Sequence, residues 1–279
     1  MSALLHRAWR VSGLLLLAWL AWRLLEWGVL RAVFSADAAA CQALAHQGAC
    51  WGVVPEKIRW LLLGAPGELG GLPLTLLLFA SSWLLSFPIG VALALARRSE
   101  RRWLSWPAVV VIEGVRGVPL VTLLFMAAFL LPLIWPQGEA PALLWRAGAV
   151  LTVFSAVYLA EIVRGGLQTV PGEQSEAAAT LGLGWWGTQR RIVLPQALRA
   201  VLPALTGHAI GLLKDTSLVM VIGLHELTGG LSLSLGGDST WRPFYFEAYL
   251  FVGAVYALLC LALSRLGLSL ERRWAQAER

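Results

Sequence analysis

The chain alternates between long apolar runs and short charged stretches, and the runs are too long for strands or for half-buried surface helices. Residues 11–33, 69–96, 106–135, 142–164, 197–224 and 245–268 are dominated by Leu, Ala, Val, Ile, Phe and Trp. A helix needs about 20 such residues to cross the hydrocarbon core. Only a structure that satisfies its own backbone groups is stable there. The pattern predicts an all-α integral membrane protein with six spans. Composition agrees, with 58% hydrophobic and 14% charged residues in 279, against about a quarter charged in soluble domains.

The charges between the runs set an orientation. With the N-terminus inside, the cytoplasmic side receives Arg7 and Arg10, the "RRSERR" cluster (Arg97, Arg98, Arg101, Arg102), Arg164, Arg190, Arg191, Arg199, Arg265, Arg272, Arg273 and Arg279. The opposite side receives only Arg31, Lys57, Arg59, Arg146 and Arg242. Basic residues collect in cytoplasmic loops, so both termini are expected in the cytoplasm. The net charge of +6 then reflects membrane topology rather than nucleic-acid binding. The first run is read as an uncleaved helix despite the small-residue triplet Ala36-Asp37-Ala38, because Arg23, Glu26 and Arg31 interrupt the way there. Cys41 and Cys50 flank an outer loop, where an oxidising compartment allows a disulfide. Cys260 lies within the last run and reads as packing.

No self-contained chemistry emerges. Lys57 and Lys214 are the only lysines and neither follows a glycine, so no phosphate-cradling loop is present. His6, His46, His208 and His225 lack metal-ligand spacing and read as surface or packing residues. Serines lack a nucleophile elbow. Ionisable residues inside the spans carry more weight, since charge in hydrocarbon is costly and is by default a functional candidate. Glu113 and Arg116, like Glu161 and Arg164, have the i, i+3 spacing of a same-face ion pair. Glu161–Arg164 is expected to brace helices. Glu113, Arg116 and the deep "KDTS" group (Lys214, Asp215, Thr216, Ser217) either line a pathway or brace the helices around it.

One cytoplasmic stretch, "SEAAATLGLGWWGTQRRIVLP" (175–195), is not needed to cross a bilayer. Glu176 to Ala179 favour a short helix, Gly182 and Gly184 allow a sharp turn, and a second helix would start near Trp185. Trp185, Trp186, Arg190 and Arg191 suit either a membrane-surface helix or a docking knob.

The same stretch resembles the EAA signature of ABC-importer permeases, with Glu176, Ala177, Ala178, Gly182, Ile192, Leu194 and Pro195 at its spacing. "IEGVRGVPLVTLLF", "VYLAEIVRGGLQTVP", "LPQALRAVLP" and "LLKDTSLVMVIG" resemble the polar amino-acid branch of that family. The "ACQALAHQGACWGVV" loop, the added first helix and the last span look like the general L-amino-acid permeases. The resemblance implies a type I ABC-importer permease fold, a five-helix core plus an extra N-terminal transmembrane helix. Residues 1–35 would form that helix, 36–68 a periplasmic loop, 69–268 the core with its coupling loop at 171–195, and 269–279 a cytoplasmic tail.

It further implies a non-catalytic subunit of the bacterial inner membrane that carries no cofactor. ATP and Mg would sit on partner ATPase subunits, gripped through the coupling loop. A homologous second permease is expected as partner, in preference to a homodimer, and a periplasmic binding protein would deliver L-amino acids from outside. The rival class is an ion-coupled secondary transporter, which would use the buried carboxylates and show inverted repeats; no convincing repeat is present. Two departures from the family stand out. Pro171 is followed by Gly172-Glu173-Gln174 where the family has Lys-Gly-Gln, and Gly207 replaces an Asn seven residues before Lys214.

Overall fold

The computed structural model describes residues 2–44, 47–65, 67, 69–136 and 140–276. His46 and Arg279, named above, lie outside the described residues, as does the side chain of Arg7. Helix α1 (Ser2–Leu25) runs through a wide π-turn (Glu26–Leu30) into the outer segment. That segment holds α2 (Ala38–Ala43) and α3 (Val53–Leu63). Then come α4 (Gly71–Arg97), α5 (Arg102–Arg116), α6 (Leu120–Phe125), α7 (Leu131–Ile134) and α8 (Leu143–Thr169). The stretch at 175–195 lies in α9 (Glu173–Thr180), α10 (Trp185–Thr188) and the start of α11 (Leu194–Ala200), and α12 (Leu202–Asp215) follows. Helix α13 (Leu227–Gly236) and the long α14 (Tyr245–Gln276) complete the chain.

Among the described residues five helices are long and apolar enough to cross a membrane, and α5 with α6–α7 makes a sixth if the bent pair is one span. The apolar run at 106–135 reads as one span that Gly117 and Pro119 loosen, and the helix bends there by 99°. The cause is local. Val118 precedes Pro119 and is pushed out of the helical region, and Pro119 removes a backbone donor.

The core is organised by α4 against α8. Ser82, Ser86, Gly90 and Ala94 recur every four residues on α4 and are buried, a stripe of small side chains that lets backbones approach where the hydrophobic effect gives no drive. Ser82 faces the Gly148 carbonyl, Ser86 meets Ser155, and Gly90 lies against Ala156 and Leu159. Numbers rise together on both helices, so α4 and α8 run parallel. Parallel neighbours need a return crossing between them, which makes the bent α5–α7 segment one span. A Cβ on Gly90 would lie 2.8 Å from Leu159 Cβ and 2.9 Å from the Ala156 carbonyl. Gly90→Val is therefore expected to destabilise the bundle by about 1–3 kcal/mol through overpacking, read as a lower thermal midpoint in detergent.

The return span carries a repair of its own. Pro132 cannot donate to the Ala128 carbonyl, and Arg146 on α8 supplies the missing donor, at 2.7 Å to Ala128 and 2.8 Å to Ala127. At the outer end, the Cys41–Cys50 disulfide is buried among Val53, Leu227, Leu231 and Trp241. The Cys50 N–H donates to Glu247 of α14. By contrast α1 is bare along most of its length. It is held at its outer end, where Trp27 packs on Trp51 and Phe246 and Trp51 donates to the Gly28 carbonyl.

Lys57 on α3 reaches Asp238 after α13, 2.5 Å away. That contact, with the ammonium charge behind it, holds the Asp238 carboxyl below the usual aspartate range. A depressed carboxyl stabilises above its unfolded value, and the stabilisation disappears as pH falls through the folded value. Acidifying below about pH 4 is therefore expected to cost wild type more thermal stability than Asp238→Asn, as measured by paired melting curves.

Candidate functional site

The turn between α8 and α11 is built from local rules. Glu173 and Glu176 sit in the first turn of α9, where negative charge complements the helix dipole. Ala177 to Ala179 carry the helix forward, with only Ala178 buried. The helix then closes in a Schellman arrangement: Leu183 N–H donates to the Ala178 carbonyl and Gly182 N–H to the Ala179 carbonyl. Gly182 holds φ +77°, the left-handed conformation that glycine adopts without strain.

Helix α10 starts at once, and a π-turn (Gln189–Val193) joins it to α11. Pro195 stands in the first turn of α11, and the Gln196 side chain donates to the Ile192 carbonyl. The outcome is a convex knob with several large side chains left bare. Leu181 is 79% exposed and Trp186 71%, with Glu176, Trp185, Arg190 and Arg191 also exposed. Ile192 and Leu194 are at its base, Leu194 half-buried among the hydrophobic residues behind it.

Behind the knob lies a five-charge cluster. Arg97, the last residue of α4, contacts both Glu113 of α5 (2.8 Å) and Glu161 of α8 (3.0 Å). Arg164 forks onto Glu161, and Arg116 stands 3.9 Å from it. The expected Glu113–Arg116 pair is not what forms. Spacing lets those two side chains meet, but Arg97 reaches across from α4 and takes Glu113 first. Glu113 therefore lies level with the C-terminal end of α4 rather than deep in a span, and both residues join Glu161 and Arg164 in one network. Arg116 also covers the Tyr158 ring, 5.5 Å from its centre.

Tyr158 leads inward to a polar chain that the sequence did not single out. His208 of α12 sits between Trp83 and Tyr158. Its Nε2 lies 3.0 Å from Ser155 Oγ and 3.2 Å from the Ser155 carbonyl. Ser155 Oγ donates to Ser86 Oγ, which donates to the Trp83 carbonyl. Every member is satisfied when the His208 proton is on Nε2. Lack of metal spacing predicts a surface or packing role for His208; it packs between two aromatic rings and also ends a hydrogen-bonded chain across α4, α8 and α12.

The "KDTS" residues diverge. Thr216 is buried and donates to the Leu213 carbonyl, and Ser217 donates to the Lys214 carbonyl. The helix tightens there into a 3₁₀ segment (Thr216–Ile222). Asp215 is half-buried and Lys214 exposed, without an ion-pair partner among the described residues.

The most buried carboxylate was not anticipated at all. Glu226 caps α13, accepting from the Thr228 and Gly229 N–H groups at 2.9 Å each. It also accepts from Tyr256 of α14 at 2.9 Å and Thr75 of α4 at 3.3 Å, and its exposure is 0%. Burial pushes its carboxyl up, against those four hydrogen bonds. Next to it, the Gly71 N–H donates to the His225 carbonyl. One side chain thus ties three elements at the end opposite the arginines. No local signal marks it, since glutamate is not a favoured N-cap residue and its side-chain partners come from other elements.

Residues 86–276 match the family described as "Binding-protein-dependent transport system inner membrane component", and the chain belongs to it. It is 40% identical over 243 residues to "Inner membrane amino-acid ABC transporter permease protein YhdY" of Escherichia coli (strain K12), covering 83% of this chain and 66% of that one. It is 38% identical over 240 residues to "Glutamate/glutamine/aspartate/asparagine transport system permease protein BztC" of Rhodobacter capsulatus, covering 80% of this chain and 55% of that one. The chain therefore spans less than two thirds of the length of both relatives.

A solved structure described as "Crystal structure of an amino acid ABC transporter with histidines" superposes with a TM-score of 0.64 at 32% identity, over 73% of this chain and 92% of that one. A methionine ABC transporter in an inward-facing conformation shares the fold, with a TM-score of 0.60 at 23% identity over 78% of this chain and 98% of that one. The fold is that of the type I ABC-importer permeases.

Proposed function

We propose that the chain is the membrane-spanning subunit of an ATP-driven importer of L-amino acids, set in the bacterial inner membrane with both termini in the cytoplasm. The observation that carries this reading is the knob at 171–195, a preformed convex surface at the arginine-rich end of a permease fold. Glu176, Ala177, Ala178 and Gly182 shape its first helix and turn, and Ile192, Leu194 and Pro195 root it in α11. Two ATPase subunits holding ATP and Mg grip it, and their closure rocks the helices from inward- to outward-facing. A homologous permease completes the pathway, and a periplasmic binding protein delivers the amino acid. The chain itself does no covalent chemistry.

The charged groups divide in this account. The Arg97–Glu113–Glu161–Arg164–Arg116 cluster braces α4, α5 and α8 behind the knob, so that a push on the loop moves the helices together. Lys214, exposed and outside that cluster, with Asp215 and Ser217 beside it, is left as the charged group available to a zwitterion. Support for an amino-acid cargo comes from the amino acids named for the Rhodobacter capsulatus relative and from the 32% identical amino-acid transporter structure.

The docking claim is tested by a Leu181→Cys crosslink. With a short bifunctional reagent, Leu181→Cys is expected to link to the ATPase subunit in membranes, and the link is expected to change yield on adding ATP. A crosslink pattern confined to lipid or to the permease itself would overturn the docking role.

A further inference from the structure

Beside the charged cluster, Arg97, Arg98, Arg164 and Gln168 line an open cleft of about 510 Å³ between the ends of α4 and α8. The neighbouring charges do not balance. Arg97, Arg98, Arg101, Arg102, Arg116 and Arg164 outnumber Glu100, Glu113 and Glu161 on the segments that meet there, a surplus of three positive charges. Both carboxylates of the cluster are already engaged: Glu113 by Arg97, and Glu161 by Arg97 and Arg164. Arg98 gives one N–H to the Leu167 carbonyl, which aims its guanidinium across the cleft and leaves four further donors. Arg101 and Arg102 are exposed and have no side-chain partner among the described residues.

An anion would offset that surplus, and the surroundings indicate which kind. Trp103 and Trp106, on the first two turns of α5, are 67% and 70% exposed, and Val110 continues their stripe. Amphipathic indoles beside arginines are the pattern of a membrane–water boundary, where basic pockets between helices bind anionic head groups. Guanidinium forks suit phosphate oxygens, and the cleft has the size of an ordinary small-ligand site. A docking protein would leave the apolar tryptophan stripe unexplained, whereas acyl chains cover it.

We propose that this cleft holds the head group of an anionic phospholipid of the inner leaflet, its phosphate on Arg98, Arg101 and Arg102 and its chains along Trp103, Trp106 and Val110. The lipid would fasten the α4–α5 corner next to the arginine cluster that stands behind the coupling knob. The choice of leaflet rests on the orientation proposed above; the binding itself does not.

The test uses the purified full chain, delipidated and exposed to mixed micelles of phosphatidylglycerol or phosphatidylcholine, with retained lipid measured by mass spectrometry. Phosphatidylglycerol is expected to be retained at least about fivefold over phosphatidylcholine. The combined Arg98→Gln, Arg101→Gln and Arg102→Gln variant is expected to lose that excess, while Arg272→Gln with Arg273→Gln keeps it. Equal retention of the two lipids, an unchanged excess in the triple variant, or the same loss in the tail variant would overturn the proposal. One further outcome also overturns it: inorganic phosphate raising the melting temperature as much as phosphatidylglycerol. Labelling of Ser99→Cys only from outside the cell would refute the leaflet, and with it the orientation, and leave the binding result standing.

Discussion

Gly182→Val is expected to reduce ATP-driven transport at least tenfold and to weaken retention of the ATPase during purification. The turn after α9 needs a residue at φ +77°, and a side chain there costs about 1–2 kcal/mol, more for a β-branched one. Nothing lies within 4 Å of a Cβ built on Gly182, so the effect is conformational and not a clash. Without the turn, the Gly182 and Leu183 N–H groups lose the Ala179 and Ala178 carbonyls, and Trp185 and Trp186 are no longer presented beside Leu181. Gly182→Asn separates this from general damage, because Asn tolerates the left-handed region. It is expected to restore most of the ATPase retention. Equal failure of both variants would show that the side-chain-free surface matters, not the turn.

Glu226→Ala is expected to have the largest effect on stability, about 3–5 kcal/mol from the lost cap and the stranded donors. Thr228 N–H, Gly229 N–H and Tyr256 Oη would lose this acceptor at a site closed to solvent, while Thr75 Oγ1 keeps the Gly71 carbonyl. Glu226→Gln should fall between, since an amide nitrogen must face the Gly229 N–H or the three donors on the other oxygen. The raised carboxyl adds a direction: its stabilising effect is greatest at low pH and is lost as pH rises through the folded value. Thermal unfolding in detergent at two pH values reads both effects. A Glu226→Ala protein that melts within a degree or two of wild type would contradict the hub.

The spans were legible in the sequence because lipid removes the need for a polar face, so unbroken apolar runs mark them directly. The knob was legible because its turn depends on a local rule, a helix of alanines ended by Gly182. What escaped detection depends on contacts between elements. Spacing shows that Glu113 and Arg116 share a face, but it carries no trace of Arg97 arriving from another helix. Metal spacing says nothing of His208, whose partners Ser155 and Ser86 come from α8 and α4. Glu226 lies between spans, and Thr75 is 151 positions away. The break at 117–119 left its signal in Pro119, but the sequence does not give the bend angle that brings Glu113 to the end of α4.

The central claim is that this chain moves amino acids only when an ATPase drives its cytoplasmic knob. The direct measurement is uptake of a labelled amino acid into liposomes containing the chain with its ATPase, partner permease and binding protein. The account predicts uptake that requires ATP and is abolished when the ATPase is omitted. Uptake by the chain alone, driven by a proton or sodium gradient and indifferent to ATP, would contradict it.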